Sequence, residues 1–329
     1  MPAPNSAVVA VLERNRRIGE RMARIVSAAI GLQPVVWVDR PAELPAQVSE
    51  ETRLVVCGEG DIGQVRDWFF NLYPQLRFAV WTAEQTAQVM ALAAGQPRLS
   101  NLIGWPRYAS MPRPWELAMV ARRLVFPDTP APALSELLHW GATEMSWAPQ
   151  TSVDRDRVVG EVGDLAARAG VDAKAAERFS AMAHELLMNA MYDAPVDAYG
   201  RPRYAAGRSF DVVLDETERP LLRLATDGEL LALEVTDPFG GIERQHVFER
   251  IARVLAMAGT AAEEVESDDI LDTTHGGAGL GMAYLYRGSA ALVVDVTRGQ
   301  ATRVTSVHEL SASAREVRAT AGSLHYFTS

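Results

Sequence analysis

His184-Glu185-Leu186-Leu187-Met188-Asn189-Ala190 is the stretch on which the reading of this chain turns. Phe179, Leu186, Leu187 and Ala190 form an apolar stripe at helical spacing. Glu185 and Asn189 lie one helical turn apart, so an acid and a neutral amide share a face. The amide oxygen can complete a Mg²⁺ shell that keeps its waters and takes its other ligands from phosphates. The carboxylate can orient or deprotonate a nucleophile beside that metal. Standing alone, the pair would read as a solvated polar face.

Two later segments keep it from standing alone. Leu221–Leu224 and Leu230–Val235 are strand-like runs joined by the hairpin turn Thr226-Asp227-Gly228. The second run ends in Asp237-Pro238-Phe239-Gly240-Gly241-Ile242. An Asp at a strand end can accept from an exocyclic amine such as adenine N6, and adjacent glycines let a flat base approach the backbone. Then Gly276-Gly277-Ala278-Gly279-Leu280-Gly281 leads into a helical pattern over Met282–Arg287. Successive N–H groups in a glycine loop at a helix N-terminus make an anion site. No Gly-Lys-Ser/Thr is present, so this is not a Walker A loop.

In order and context the three segments resemble the N, G1 and G2 boxes of the GHKL ATPase superfamily, which holds DNA gyrase and the sensor histidine kinases. The resemblance covers roughly residues 155–310. It implies an α/β sandwich that binds ATP and Mg²⁺. Asn189 would hold the metal and Asp237 the adenine amine. Gly240 and Gly241 would admit the base, and Gly277, Gly279, Leu280 and Gly281 would wrap the phosphates. Residues 243–275 would form a lid, with a helix near Glu243–Met257. Glu185, where histidine kinases often carry Asn, makes this chain similar to the anti-sigma serine-kinase branch and would be the catalytic base. Phe239 departs from the usual Asp-x-Gly-x-Gly, which leaves turnover open. Two readings therefore stand side by side: a protein serine/threonine kinase or ATPase, and a non-catalytic ATP-gated adaptor.

Before this module the chain alternates strand-like and helical runs. Strands are expected at Ala7–Leu12, Pro34–Val38, Leu54–Cys57, Phe78–Trp81 and Leu102–Gly104. Helices are expected at Arg14–Ile30, Ala42–Glu50, Gly63–Leu72, Ala83–Ala94 and Pro114–Val125. Five βα units imply a parallel sheet, flavodoxin-like or receiver-like. The receiver resemblance stops at the chemistry. Glu13 is the one acid after the first strand, the phospho-acceptor position falls near Cys57-Gly58, and Trp105-Pro106 replaces the lysine-proline pair. Thr82 keeps the hydroxyl position, while Glu59 and Asp61 lie beyond the third strand. The reading is a pseudo-receiver over residues 1–126, a docking platform for regulatory protein partners or for a second copy in a homodimer. A proline-rich hinge occupies 127–152, and the nucleotide module with its tail runs over 153–329. His139 lacks the acidic neighbour of a phospho-accepting histidine, so histidine autophosphorylation is disfavoured.

Composition narrows the class. A net charge of −10 argues against a nucleic-acid surface, which needs clustered positive charge. The single cysteine, Cys57, sits in an apolar run, which fits a buried thiol and a reducing compartment. No leader and no bilayer-length apolar stretch is evident, so a cytoplasmic protein away from membranes is expected. The six histidines have no metal-ligand spacing.

Overall fold

A computed structural model describes residues 7–83, 87–106, 111–197, 199–204, 211–261, 280–311 and 321–329; for 258–261 and 280 it describes the backbone alone. The chain is mixed α/β. It divides into two compact units, Met1–Ala131 with Ala319–His325, and Pro132–Arg318 with Tyr326–Ser329. None of the described helices is long and apolar enough to cross a membrane.

The first unit runs β1 (Val9–Leu12), α1 (Arg16–Ala29), β2 (Val35–Val38), β3 (Leu54–Gly58), α2 (Ile62–Phe69), β4 (Arg77–Thr82), α3 (Ala87–Ala94), β5 (Leu99–Gly104) and α4 (Pro114–Val125). Its strands pair in the order β2-β1-β3-β4-β5, all parallel. β1 and β3 are buried at every residue, as strands covered on both faces must be, which is why they read as unbroken apolar runs. α1 starts where the Asn15 side chain accepts from the Ile18 N–H, and α4 where Pro114 presets the first turn. The helix expected over Ala42–Glu50 is instead a short 3₁₀ turn, Pro41–Ala46. Pro45 lies inside it and supplies no N–H, so an α-helix cannot propagate.

The β5 edge of this unit is covered by the chain's own tail. β11 (Ser323–Thr328) begins here, with Leu324 opposite Leu102 and His325 opposite Asn101 in antiparallel register. Ser323 Oγ accepts from the Gly104 N–H at 2.8 Å, and Gly104 must be glycine because a Cβ there would overlap the Ala321 carbonyl. His325 is buried 2.8 Å from Glu116 Oε1. The tail thereby closes an otherwise open strand edge.

The second unit runs β6 (Thr143–Trp147), α5 (Ser152–Arg168), α6 (Ala173–Met188), a π turn (Asn189–Asp193), β7 (Leu221–Thr226), β8 (Leu230–Asp237), α7 (Arg244–Ala261), α8 (Leu280–Gly288), β9 (Ala291–Thr297) and β10 (Ala301–Glu309). Its strands form an antiparallel sheet in the order β9-β10-β8-β7-β6. α5 packs on α6, α6 packs on α8 and β8, and α8 on β9 and β10, so α6 and α8 share one face of the sheet. Thr151 and Asp154 form a capping box at α5, and Asp172 caps α6 by accepting from Ala175 N at 2.7 Å.

Candidate functional site

The expected site residues fall on three neighbouring pieces of the second unit. α6 delivers Glu185 on its last full turn and ends at Met188; Asn189 opens the π turn. The sequence pattern continues an α-helix to Met191, but here the backbone widens by one residue per turn, a local change that recurs at functional sites. Glu185 and Asn189 keep their one-turn spacing, because the Asn189 N–H still bonds the Glu185 carbonyl. Glu185 is 8% exposed and Asn189 is half-buried. The π turn packs against β8, the strand that ends in Asp237.

Glu185 reaches across to the third segment. A Cβ at Gly281 would overlap its carboxylate oxygen Oε2, so the acid lies directly against the first turn of α8 and requires glycine there. One turn further along α8, Tyr284 is pushed up by burial, and the nearby Glu185 carboxylate adds to that rise. Gly277 and Gly279, together with the acidic part of the expected lid, lie outside the described residues. Leu280 opens α8, and α7 spans the helical part of the expected lid.

At the other end, Asp237 closes β8 and is 4% exposed. Burial pushes its carboxyl up to about 6, against the Phe239 N–H, which donates to Oδ1 at 2.9 Å, and the Gly240 N–H. Thr302 of β10 stands opposite Asp237 in the ladder. Its hydroxyl lies near enough to favour the charged carboxylate, and within ordinary distance and angle limits it makes no hydrogen bond among the described residues. Thr302 is fully buried, so its hydroxyl lies beside the Asp237 carboxyl without a full hydrogen bond among the described residues. A base edge carrying an amine and a ring acceptor matches that pair. Thr302 was not legible in the sequence; its signal is the register of β10 against β8.

The two glycines after Asp237 differ. Gly240 adopts φ +63°, and a Cβ would overlap the Thr297 carbonyl and crowd the Gly299 and Gln300 N–H groups. Gly241 faces open space and is exposed. Close backbone approach is therefore a demand at Gly240 alone.

No cluster of three His, Cys, Asp or Glu side chains able to hold a metal occurs among the described residues. A Mg²⁺ held through Asn189 would draw its remaining ligands from phosphates and water. His308 is a core residue: burial lowers it to about 4, and its ring lies edge-on to Phe179 at 4.9 Å. His139 sits by the β7–β8 turn, 3.0 Å from Asp227, whose carboxylate also accepts from the His139 N–H.

In the first unit, the acids at the carboxyl ends of β1 and β3 are already engaged. Arg14 forks Asp61 with two hydrogen bonds of 2.7 and 2.6 Å. Thr82 donates to Glu59. Burial raises the Glu13 carboxyl, and its Oε1 accepts from Asn15 N at 2.8 Å. Cys57 is buried, and burial pushes its thiol far above the ordinary range, so no thiolate forms there.

In comparisons with known proteins, no family model and no curated relative matches this sequence.

Proposed function

We propose that the second unit is a GHKL-type nucleotide module that binds ATP with Mg²⁺ and acts on, or docks to, regulatory partner proteins. The observation that carries this reading is the Asp237–Thr302 pair, a buried carboxyl and an unpartnered buried hydroxyl side by side at the end of β8. Asp237 is held by the Phe239 N–H, while a buried hydroxyl such as that of Thr302 is normally satisfied by water or by a polar ligand. Gly240 lets a flat ring come against the backbone beside them. From there β8 leads, through its packing on the π turn, to Asn189 and Glu185, where the triphosphate and metal would lie.

The roles follow from chemistry. Asp237 accepts from the base amine and Thr302 serves the adjacent ring nitrogen. Asn189 offers its amide oxygen to Mg²⁺, which when bound would neutralise charge on the phosphates. Glu185 orients or deprotonates a Ser/Thr hydroxyl or a water. The first unit, with the strand order of the flavodoxin-like sheets and its acids already engaged by Arg14 and Thr82, supports the reading of a pseudo-receiver that docks protein partners or a second copy.

The adaptor alternative is favoured by one feature. The half-buried Phe239 stands where the resemblance expects glycine, and its N–H already holds Asp237. ATP carrying a labelled γ-phosphate separates the readings. Retention of intact ATP supports the adaptor, release of phosphate a hydrolase, and label on a partner Ser or Thr a kinase. Absence of any retained nucleotide would remove the proposal.

A further inference from the structure

The turn that follows Asp237 is held at three points, and only the first is internal to it. That first hold is the Phe239 N–H, which donates to Asp237 Oδ1 at 2.9 Å. The second comes from the β9–β10 turn, where the Gly299 N–H donates to the Gly240 carbonyl at 3.4 Å. The third comes from 84 residues along the chain. Tyr326, which is 7% exposed, donates its hydroxyl to the Ile242 carbonyl at 2.8 Å. Tyr326–Ser329 belong to the same unit as this turn. They are fixed there by backbone: the Ser329 N–H donates to the Val296 carbonyl at 3.0 Å, and the Ser329 carbonyl accepts from the Arg298 N–H at 3.5 Å.

A buried tyrosine needs a partner for its hydroxyl, and many find one without further consequence. Here the partner is the backbone of a turn that carries two consecutive glycines, the residues with the most conformational freedom to lose. Gly241 faces open space, so packing does not hold that position. We infer that Tyr326 is a positioning residue for the base end of the site, fixing the far side of the turn so that Asp237 and the Gly240 backbone are in place before a ring arrives. This rests on the nucleotide reading and deepens it, because it brings β11, which lies outside the three motif segments, into the site. Tyr326 acts through the backbone of the turn rather than on the ligand, and its contribution is preorganisation.

Tyr326→Phe in the full chain removes the hydroxyl and keeps the ring. Calorimetry with adenosine and with Mg·ATP, urea unfolding and amide hydrogen exchange are read on one preparation. Adenosine should bind about three- to tenfold more weakly, the size of one hydrogen bond. Mg·ATP should weaken by the same factor to within about twofold, because the loss lies at the base end that both ligands share. The Phe239 and Gly299 N–H groups should exchange about three- to tenfold faster. A lower urea midpoint with unchanged adenosine affinity would make the hydroxyl merely structural and overturn the inference. Unchanged exchange at Phe239 and Gly299, or a loss confined to Mg·ATP, would overturn it as well while leaving the nucleotide site intact. Failure of the wild-type chain to bind either compound would overturn the nucleotide reading itself, whatever the exchange shows.

Discussion

Asp237 and Thr302 stand opposite one another in the β8–β10 ladder, one with its carboxyl raised to about 6 by burial, the other with a hydroxyl that makes no full hydrogen bond among the described residues. An unpaired buried polar group costs about 1–3 kcal/mol, so the pair weakens the empty fold. Thr302→Val removes the orphaned group at constant shape. It should leave stability unchanged or raise it by up to about 1 kcal/mol while weakening adenosine roughly tenfold. Chemical denaturation and calorimetry on one preparation decide it. A loss of stability with unchanged adenosine affinity would make Thr302 a packing residue.

The raised Asp237 carboxyl sets a pH dependence with a definite sign. Its folded value of about 6 lies above the ordinary 3.8. Below 3.8 the group is protonated in both folded and unfolded chains, and its contribution to stability is complete. As pH rises through 6 that contribution is lost, on the order of 2–3 kcal/mol. Asp237→Asn should therefore be more stable than wild type above pH 6, with the gain vanishing near pH 4. Binding runs the other way, since the ionised carboxylate accepts from an amine more strongly than the neutral carboxyl does. Adenosine affinity should fall as pH drops below 6, and in Asp237→Asn it should be low at every pH.

Gly240 and Gly241 predict opposite outcomes for the same substitution. Gly240→Ala meets the Thr297 carbonyl and a left-handed backbone, and should cost about 2 kcal/mol or more. Gly241→Ala adds a methyl in open space and should stay within about 0.5 kcal/mol. Urea midpoints measure both. Equal costs would mean that the turn is positioned differently from the way described.

The first unit makes a negative prediction. Asp61 is forked by Arg14 and buried, so acetyl phosphate should add no phosphoryl mass to the protein. An acyl phosphate on Asp61, seen by mass spectrometry, would restore receiver chemistry to this unit. Cys57 should likewise stay silent to thiol reagents until the protein is unfolded.

Local rules carried the reading furthest where one interaction dominates. α4 has the expected bounds, Pro114–Val125, because proline starts it and the apolar stripe sets its length. β1 and β3 declare themselves by apolar runs that only a doubly covered strand needs. Glu185 and Asn189 lie one helical turn apart, as their spacing predicts, while the role expected of them comes from the resemblance and not from that spacing. The rest depends on tertiary structure. β6, Thr-Glu-Met-Ser-Trp, lacks alternation because it is exposed along most of its length, and pairing with β7 makes it a strand. The end of α6 widens into a π turn where the sequence continues smoothly. Thr302 gains its meaning from register, and Arg14 from a partner 47 residues away. Ser323 and His325 belong to the first unit, paired with β5, a non-local pairing that tail composition does not announce.

Titration of Mg·ATP into the full chain and into Asn189→Ala, followed by calorimetry, tests the central claim most directly. Saturable one-to-one binding to the wild-type chain, lost or weakened at least about tenfold in Asn189→Ala while adenosine still binds, is the predicted result. Equal affinity for Mg·ATP in the two proteins, or no binding to the wild type, would contradict it.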